Sequence, residues 1–161
     1  MPAAAEWCST ESGTFTFETT FEGEALPGEF RSFDVRYVEA SELRVTVDLA
    51  AADMGDPDMN DVLADPAWFG TAHPEAVFEA DSIRETEAGQ FVAEGMLDLK
   101  AVEAATAVPF RWRADGDGAS MQGEFTLRRT DFNVGTGEWS TGESIGLDVT
   151  LRFDIALEPC E

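Results

Sequence analysis

The stretch Ile145-Gly-Leu-Asp-Val-Thr-Leu-Arg-Phe-Asp-Ile-Ala-Leu157 decides the fold class. Leu147, Val149, Leu151, Phe153, Ile155 and Leu157 fall on one parity, and Asp148, Thr150, Arg152 and Asp154 on the other. A strict period of two places the apolar side chains on one face of a strand. At 100° per residue a helix would scatter them around its axis. One face is dry and the other wet, as in the wall of an antiparallel barrel. The functional question is whether the dry face meets packed protein or a ligand.

The same alternation recurs upstream. Gly13 to Phe21 carries Phe15, Phe17 and Phe21 on one parity, and Glu29 to Val38 alternates Phe33, Val35 and Tyr37 with polar residues. Between them, Glu22 to Gly28 reads as a turn. Ser41 to Ala50 sets Leu43, Val45, Val47 and Leu49 against Arg44, Thr46 and Asp48. Glu75 to Arg84 and Phe91 to Leu99 form a hairpin pattern around Gly89, and Gly95 inside the second run implies a bend or a close backbone approach. Ala101 to Ala107 is weakly patterned. Val108 to Ala114 turns at Asp115-Gly116-Asp117-Gly118 into Ser120 to Leu127. About eight strands with short turns, and no alternation of strands with helices, predict an all-β fold. The expected architecture is an eight-stranded antiparallel up-and-down barrel, whose closure leaves no exposed edge.

One segment breaks the pattern. Between Ala51 and Gly70 lie Asp53, Asp56, Asp58, Asp61 and Asp65, with Pro57 and Pro66. Asp56 suits an N-cap and Pro57 a first helical turn. Met59, Val62 and Leu63 make one apolar stripe. A short helix over 57–64 is expected to lay that stripe across one end of the sheet. The aspartates lack EF-hand spacing and its closing glutamate, so no metal site is predicted.

Composition bounds the rest. The chain has 161 residues, enough for one domain with a sizeable core. Its 33 acidic residues against 10 basic ones leave a net charge of −23, and Lys100 is the single lysine. That surface repels nucleic-acid phosphates and anionic membranes. No apolar run is long enough for a transmembrane helix. Cys8 and Cys160 lie near opposite ends and read either as a disulfide, which implies an oxidising compartment, or as two free thiols. Met1-Pro-Ala-Ala-Ala-Glu6 is similar to the small-residue region that follows a signal cleavage point. The expected organisation is an N-terminal remnant over 1–12, the barrel over 13–158 and a tail over 159–161, in a periplasmic or secreted protein. The sequence names no protein partner and leaves a homodimer open. His73 is the lone histidine and no nucleophile motif stands beside it, so no enzyme activity and no cofactor are expected.

Three blocks in order resemble the YceI family of polyisoprenoid-binding, lipocalin-like proteins. The first is Gly13-Thr-Phe-Thr-Phe17 with Gly28-Glu-Phe30-Arg-Ser-Phe33. The second is Met59-Asn-Asp-Val-Leu63, Trp68-Phe69 and Pro74-Glu-Ala-Val-Phe78-Glu-Ala-Asp-Ser82-Ile83. The third is Gly95-Met-Leu97, then Phe125-Thr-Leu-Arg-Arg129-Thr-Asp131-Phe132-Asn-Val-Gly135, then Gly137-Glu-Trp139. Asn60, Trp68, Lys100-Ala101 and Asn133 depart from the family pattern; they sit at the helix and loop end and bear on head-group preference more than on fold. The resemblance implies an exported barrel that holds one long amphiphile, an isoprenoid, isoprenoid quinone or fatty-acyl compound, and several family members are linked to stress responses.

A lipid tail needs a continuous dry tunnel with a polar group or two for its head. The strand residues expected to line it are Phe15, Phe17, Val45, Val47, Phe78, Phe91, Phe110, Trp112, Phe125, Leu127, Val149, Leu151 and Phe153; the competing reading of each is packed core. Leu63, Trp68, Phe69 and Trp139, on irregular segments, are expected at the mouth. Arg129 with Asp131 is read either as an ion pair or as a head-group contact.

Overall fold

The structure, a computed structural model, describes residues 5–160. Residues 1–4 of the expected N-terminal remnant, and Glu161 of the tail, lie outside the described residues. The strands are β1 (Glu6–Phe21), β2 (Glu24–Phe30), β3 (Phe33–Val38), β4 (Glu42–Asp48), β5 (Ala52–Asp53), β6 (Glu75–Glu87), β7 (Gln90–Leu99), β8 (Val102–Asp115), β9 (Gly118–Arg128) and β10 (Asp148–Pro159). One α-helix, α1 (Pro57–Leu63), lies between β5 and β6.

These ten segments make an eight-stranded barrel. The ring runs β10-β9-β8-β7-β6-β4-β3-β1 and closes where β1 pairs antiparallel with β10. β2 and β5 are continuations of β3 and β4 past a bend. One edge of β1 pairs with β3 at Glu6–Cys8 and with β2 at Thr16–Phe21. Likewise β5 pairs with β2 as β4 pairs with β3. The run from Glu29 to Val38 is thus two segments broken at Arg31–Ser32, and β2 starts inside the stretch expected to be a turn.

The opening parity holds. Leu151, Phe153, Ile155 and Leu157 are buried, while Arg152 and Asp154 are exposed. The first strand begins earlier than expected. Glu6 to Ser9 already pairs with β3 and β10, so the barrel starts before Gly13 and most of the 1–12 segment belongs to its wall. Strand β8 also starts before Val108. Its inward residues there are the small Ala104 and Thr106, and Ala105 and Ala107 point outward, so the polarity contrast that marks a strand is flat. Gly95 makes the expected close approach: a Cβ there would run into the backbone of Glu79 and Ala80, beside the bulge at Ala80–Ser82.

Cys8 and Cys160 form a disulfide with Cα atoms 5.2 Å apart, closing a loop of 152 residues at the seam of the ring. That end of the barrel is filled by rings. Trp7 packs edge-on to Trp112 at 5.4 Å, Tyr37 contacts Trp112 and Phe110 at 4.7 and 5.5 Å, and Phe91 stacks on Phe110. Tyr37 is fully buried, and its hydroxyl accepts the N–H of Ala40 at 3.0 Å.

Candidate ligand tunnel

The α1 helix stands over the opposite end of the barrel. Asp56 caps it by accepting the Asp58 N–H at 2.8 Å, and Pro57 occupies the first turn. None of its side chains is fully buried, yet Met59, Val62 and Leu63 face the barrel interior. A polar tether holds it there. Asn60 donates to Asp53 Oδ1 at 3.0 Å and accepts the Met54 N–H at 2.8 Å, while Arg31 reaches Asp53 Oδ2 at 2.7 Å. The Asn60 hydrogen bond is the main reason that the Asp53 carboxyl titrates below the usual range, with the Gly55 N–H and Arg31 adding to it. The aspartates of this segment act locally: Asp53, Asp56 and Asp65 each accept a backbone N–H two residues on. Among the described residues no group of three or more metal-ligating side chains is close enough to hold an ion.

Two internal spaces lie end to end below α1. The upper lobe is lined by Phe17, Leu26, Met54, Met59, Val62, Leu63, Trp68, Phe132, Ile145 and Val149, among others. The lower lobe is lined by Phe15, Val35, Val45, Val47, Phe78, Val108, Met121, Phe125 and Phe153, among others. Phe30, Phe69, Leu99, Leu127 and Leu151 line both and form a waist between them. The cavity volume is about 100 Å³ in the upper lobe and about 110 Å³ in the lower. That is several times what one water needs, but the walls facing these spaces are apolar throughout and offer water no partner. Val62, which lines the upper lobe, is 40% exposed.

Of the seventeen lining candidates, thirteen border the lobes: Phe15, Phe17, Val45, Val47, Leu63, Trp68, Phe69, Phe78, Phe125, Leu127, Val149, Leu151 and Phe153. Phe91, Phe110 and Trp112 do not. They point inward on the expected parity but lie at the disulfide end, in the aromatic cluster that fills the ring. Trp139 is not a mouth residue of the lobe either; it packs against the far side of Trp68, 5.8 Å between rings, and lines an outer groove. Phe30, Met54 and Ile145 were not among the expected lining residues. The first had a signal, since Gly28 leaves room for the Phe17 ring and so fixes which face of this strand points inward.

The expected pairing of Arg129 with Asp131 is corrected. Asp131 is exposed and makes no ion pair with Arg129. Arg129 is buried at 3% exposure, and its burial lowers the guanidinium pKa. It donates to five backbone oxygens: Nε to Gly146, Nη1 to Val134 and Gly135, and Nη2 to Trp139 and Ile145, at 2.5–3.0 Å. A guanidinium has five N–H donors, so none is left for a ligand. The chain between Phe132 and Leu147 is wrapped around this cation. Gly135 passes so close that a side chain there would strike the guanidinium. Lys100 is used in the same way, donating to the carbonyls of Pro66 and Asn133 at 2.7 and 2.6 Å. Trp68 covers Arg129 with its ring, and its own Nε1 is buried without a partner.

The antiparallel barrel is thus filled by aromatic rings at one end, covered by α1 at the other, and holds apolar space between them. The chain belongs to the YceI-like domain family, whose sequence profile matches residues 8–157. Among solved structures it is similar to Burkholderia cenocepacia BcnA, with a TM-score of 0.83 and 25% identity over 89% of this chain and 95% of that one. It is also similar to a polyisoprenoid binding domain from Saccharophagus degradans implicated in plant cell wall breakdown, with a TM-score of 0.77 and 15% identity over 98% and 99% of the two chains. The Campylobacter jejuni YCEI protein matches with a TM-score of 0.74 and 15% identity over 84% and 86%. No curated protein matches the sequence.

Proposed function

We propose that this protein sequesters or carries a long-chain isoprenoid, isoprenoid quinone or fatty-acyl lipid, works outside the cytoplasm and catalyses no reaction. The observation that carries the reading is the pair of apolar lobes inside the barrel, with Phe30, Phe69, Leu99, Leu127 and Leu151 between them and α1 over the upper one. Each methylene transferred from water to such a wall is worth about 0.8 kcal/mol, so ten give roughly 8 kcal/mol before the cost of association. A tail of isoprenoid length therefore binds without any charged contact. The similar Saccharophagus domain is named for polyisoprenoid binding, which supports the same class of guest. The disulfide supports an oxidising compartment. No helix among the described residues is long and apolar enough to cross a membrane.

The test is extraction of the purified protein with organic solvent and mass spectrometry of the extract, followed by titration of the stripped protein with geranylgeraniol. A long-chain lipid at near one per protein, and rebinding of the alcohol, are expected. Protein that is empty from every preparation and takes up no long chain would instead favour a filled barrel acting as an interaction module.

A further inference from the structure

The lobes hold a tail; the polar head of any guest has to be accommodated elsewhere. Nothing on the lobe walls presents a charge or a free polar group to the interior. The single cation bordering the upper lobe is Arg129, and all five of its donors are engaged by backbone carbonyls. The head must therefore sit at or beyond the mouth.

Beside that mouth runs an outer groove of about 720 Å³, lined by Asp61, Asp65, Glu138, Thr136, Trp139 and neighbouring backbone. Val62 and Trp68 line both the groove and the upper lobe, so the two spaces adjoin at these side chains. Three carboxylates and no cation border it. Lys100, on the nearby turn, is committed to two carbonyls, and Arg31 to Glu29 and Asp53. An anionic head placed there meets three carboxylates against the single Lys100 ammonium, which interacts with Asp65 from outside the lining, in a molecule whose net charge is already −23. The wall shared by lobe and groove also contains a donor without an acceptor, the Nε1 of Trp68, a side chain 6% exposed. A buried N–H left unpaired is costly, and an incoming oxygen acceptor relieves it.

We propose that this groove is the head-group subsite, and that it selects a long-chain amphiphile with an uncharged oxygen head, an alcohol or a carbonyl, over the anionic compound of the same chain. The proposal rests on the lipid-carrier reading and adds to it the class of head. Two features act together: the carboxylates exclude an anion, and the Trp68 N–H rewards an acceptor.

The experiment is a direct competition. Full-length protein stripped of lipid is offered geranylgeraniol and geranylgeranyl phosphate at equal concentration, and the bound fraction is extracted and quantified by mass spectrometry. The alcohol is expected to win by about tenfold at 0.05 M salt, and the margin to shrink several-fold at 1 M, where the Debye length falls to about 3 Å. A combined D61N, D65N and E138Q variant removes the three charges, while the amide oxygen introduced at position 65 can still accept the Ala67 N–H, and it is expected to lose most of the margin at low salt. W68F shortens the lobe wall for any guest, so the readout is a ratio: it is expected to weaken the alcohol several-fold more than a hydrocarbon of matched length, with near-ultraviolet circular dichroism confirming that it is folded, and an equal loss for both would overturn the role of the Trp68 N–H. Equal or preferred binding of the phosphate at low salt overturns the proposal and leaves the carrier reading standing. Failure to bind either compound overturns both.

Discussion

Arg129 lies over the indole of Trp68, its guanidinium carbon 5.0 Å from the ring centroid. The two side chains join the segment after α1 to the loop between β9 and β10. The Arg129 cation has no carboxylate partner among the described residues and is balanced by carbonyl dipoles and a π face. It is the internal post around which the mouth of the tunnel is built.

Replacing Arg129 by lysine keeps the charge but supplies at most three donors from a single point. At least two buried carbonyls then lose their partner, at about 1–3 kcal/mol each. The R129K protein is expected to be destabilised by about 3 kcal/mol in urea unfolding. A loss below about 1 kcal/mol would show that the loop does not depend on this hub.

Tyr37 is the only tyrosine, so tyrosinate absorbance reports one site. Burial is the main cause that raises its pKa above 10.0, with the negative charges of Glu39 and Glu85 adding to it and the Ala40 hydrogen bond opposing. The neutral form is thus favoured in the folded state. The stability this group contributes is full below the unfolded value and is lost as pH rises through the higher folded one. A spectrophotometric titration is expected to show less than half of Tyr37 as tyrosinate at pH 10, with the rest appearing at higher pH. A reversible midpoint at 10 in folded protein would contradict the buried position.

The tether of α1 responds to acid in the opposite sense. The folded pKa of Asp53 lies below the 3.8 of the free side chain, so its contribution is complete above that value and disappears as pH falls through the lower folded one. Amide exchange at Met54, whose N–H is held by Asn60, is expected to accelerate there before the barrel unfolds. In D53N the amide of Met54 is expected to exchange faster at neutral pH, with little further change on acidification. Equal protection in both proteins would show that Asp53 does not hold the helix.

Removing the disulfide by a C8S and C160S pair frees a loop of 152 residues. The chain-entropy estimate for a loop of this length is about 5 kcal/mol, an upper figure because unfolded chains retain structure. A fall in thermal midpoint of more than 10 °C is expected under oxidising conditions, and none when both proteins are compared with the disulfide of the parent reduced.

Much of this was legible from residue order. Strand β10 announced its faces because large apolar and charged side chains alternate without a break. Helix α1 announced its start through Asp56 and Pro57. Position along the barrel was not legible. Phe78 and Phe110 share the same inward parity, and alternation says nothing of depth, so one borders the lower lobe and the other the aromatic plug. The Arg129 hub was also hidden. Asp131, two residues on, was the obvious partner by spacing, but Arg129–Phe132 forms a 3-10 turn and the oxygens that receive the guanidinium come from residues 134–146. Backbone carbonyls leave no mark on a sequence. The Trp68–Phe69 pair stood out by composition, yet only the fold shows that one ring covers Arg129 and the other forms part of the waist.

The seam between β1 and β10 also dictates the order in which the molecule can be made. Trp7 is in register with Pro159 and Phe17 with Leu151, so the first strand to be synthesised waits for the last before the ring can close. Until then β1 has only its neighbours β2 and β3, and an open sheet with two free edges persists through the emergence of most of the chain. Pairings of such high sequence separation fold slowly, because the loop-closure entropy is lost before the contacts are gained. Closure of the ring is then the step at which the tunnel first exists as an enclosed space.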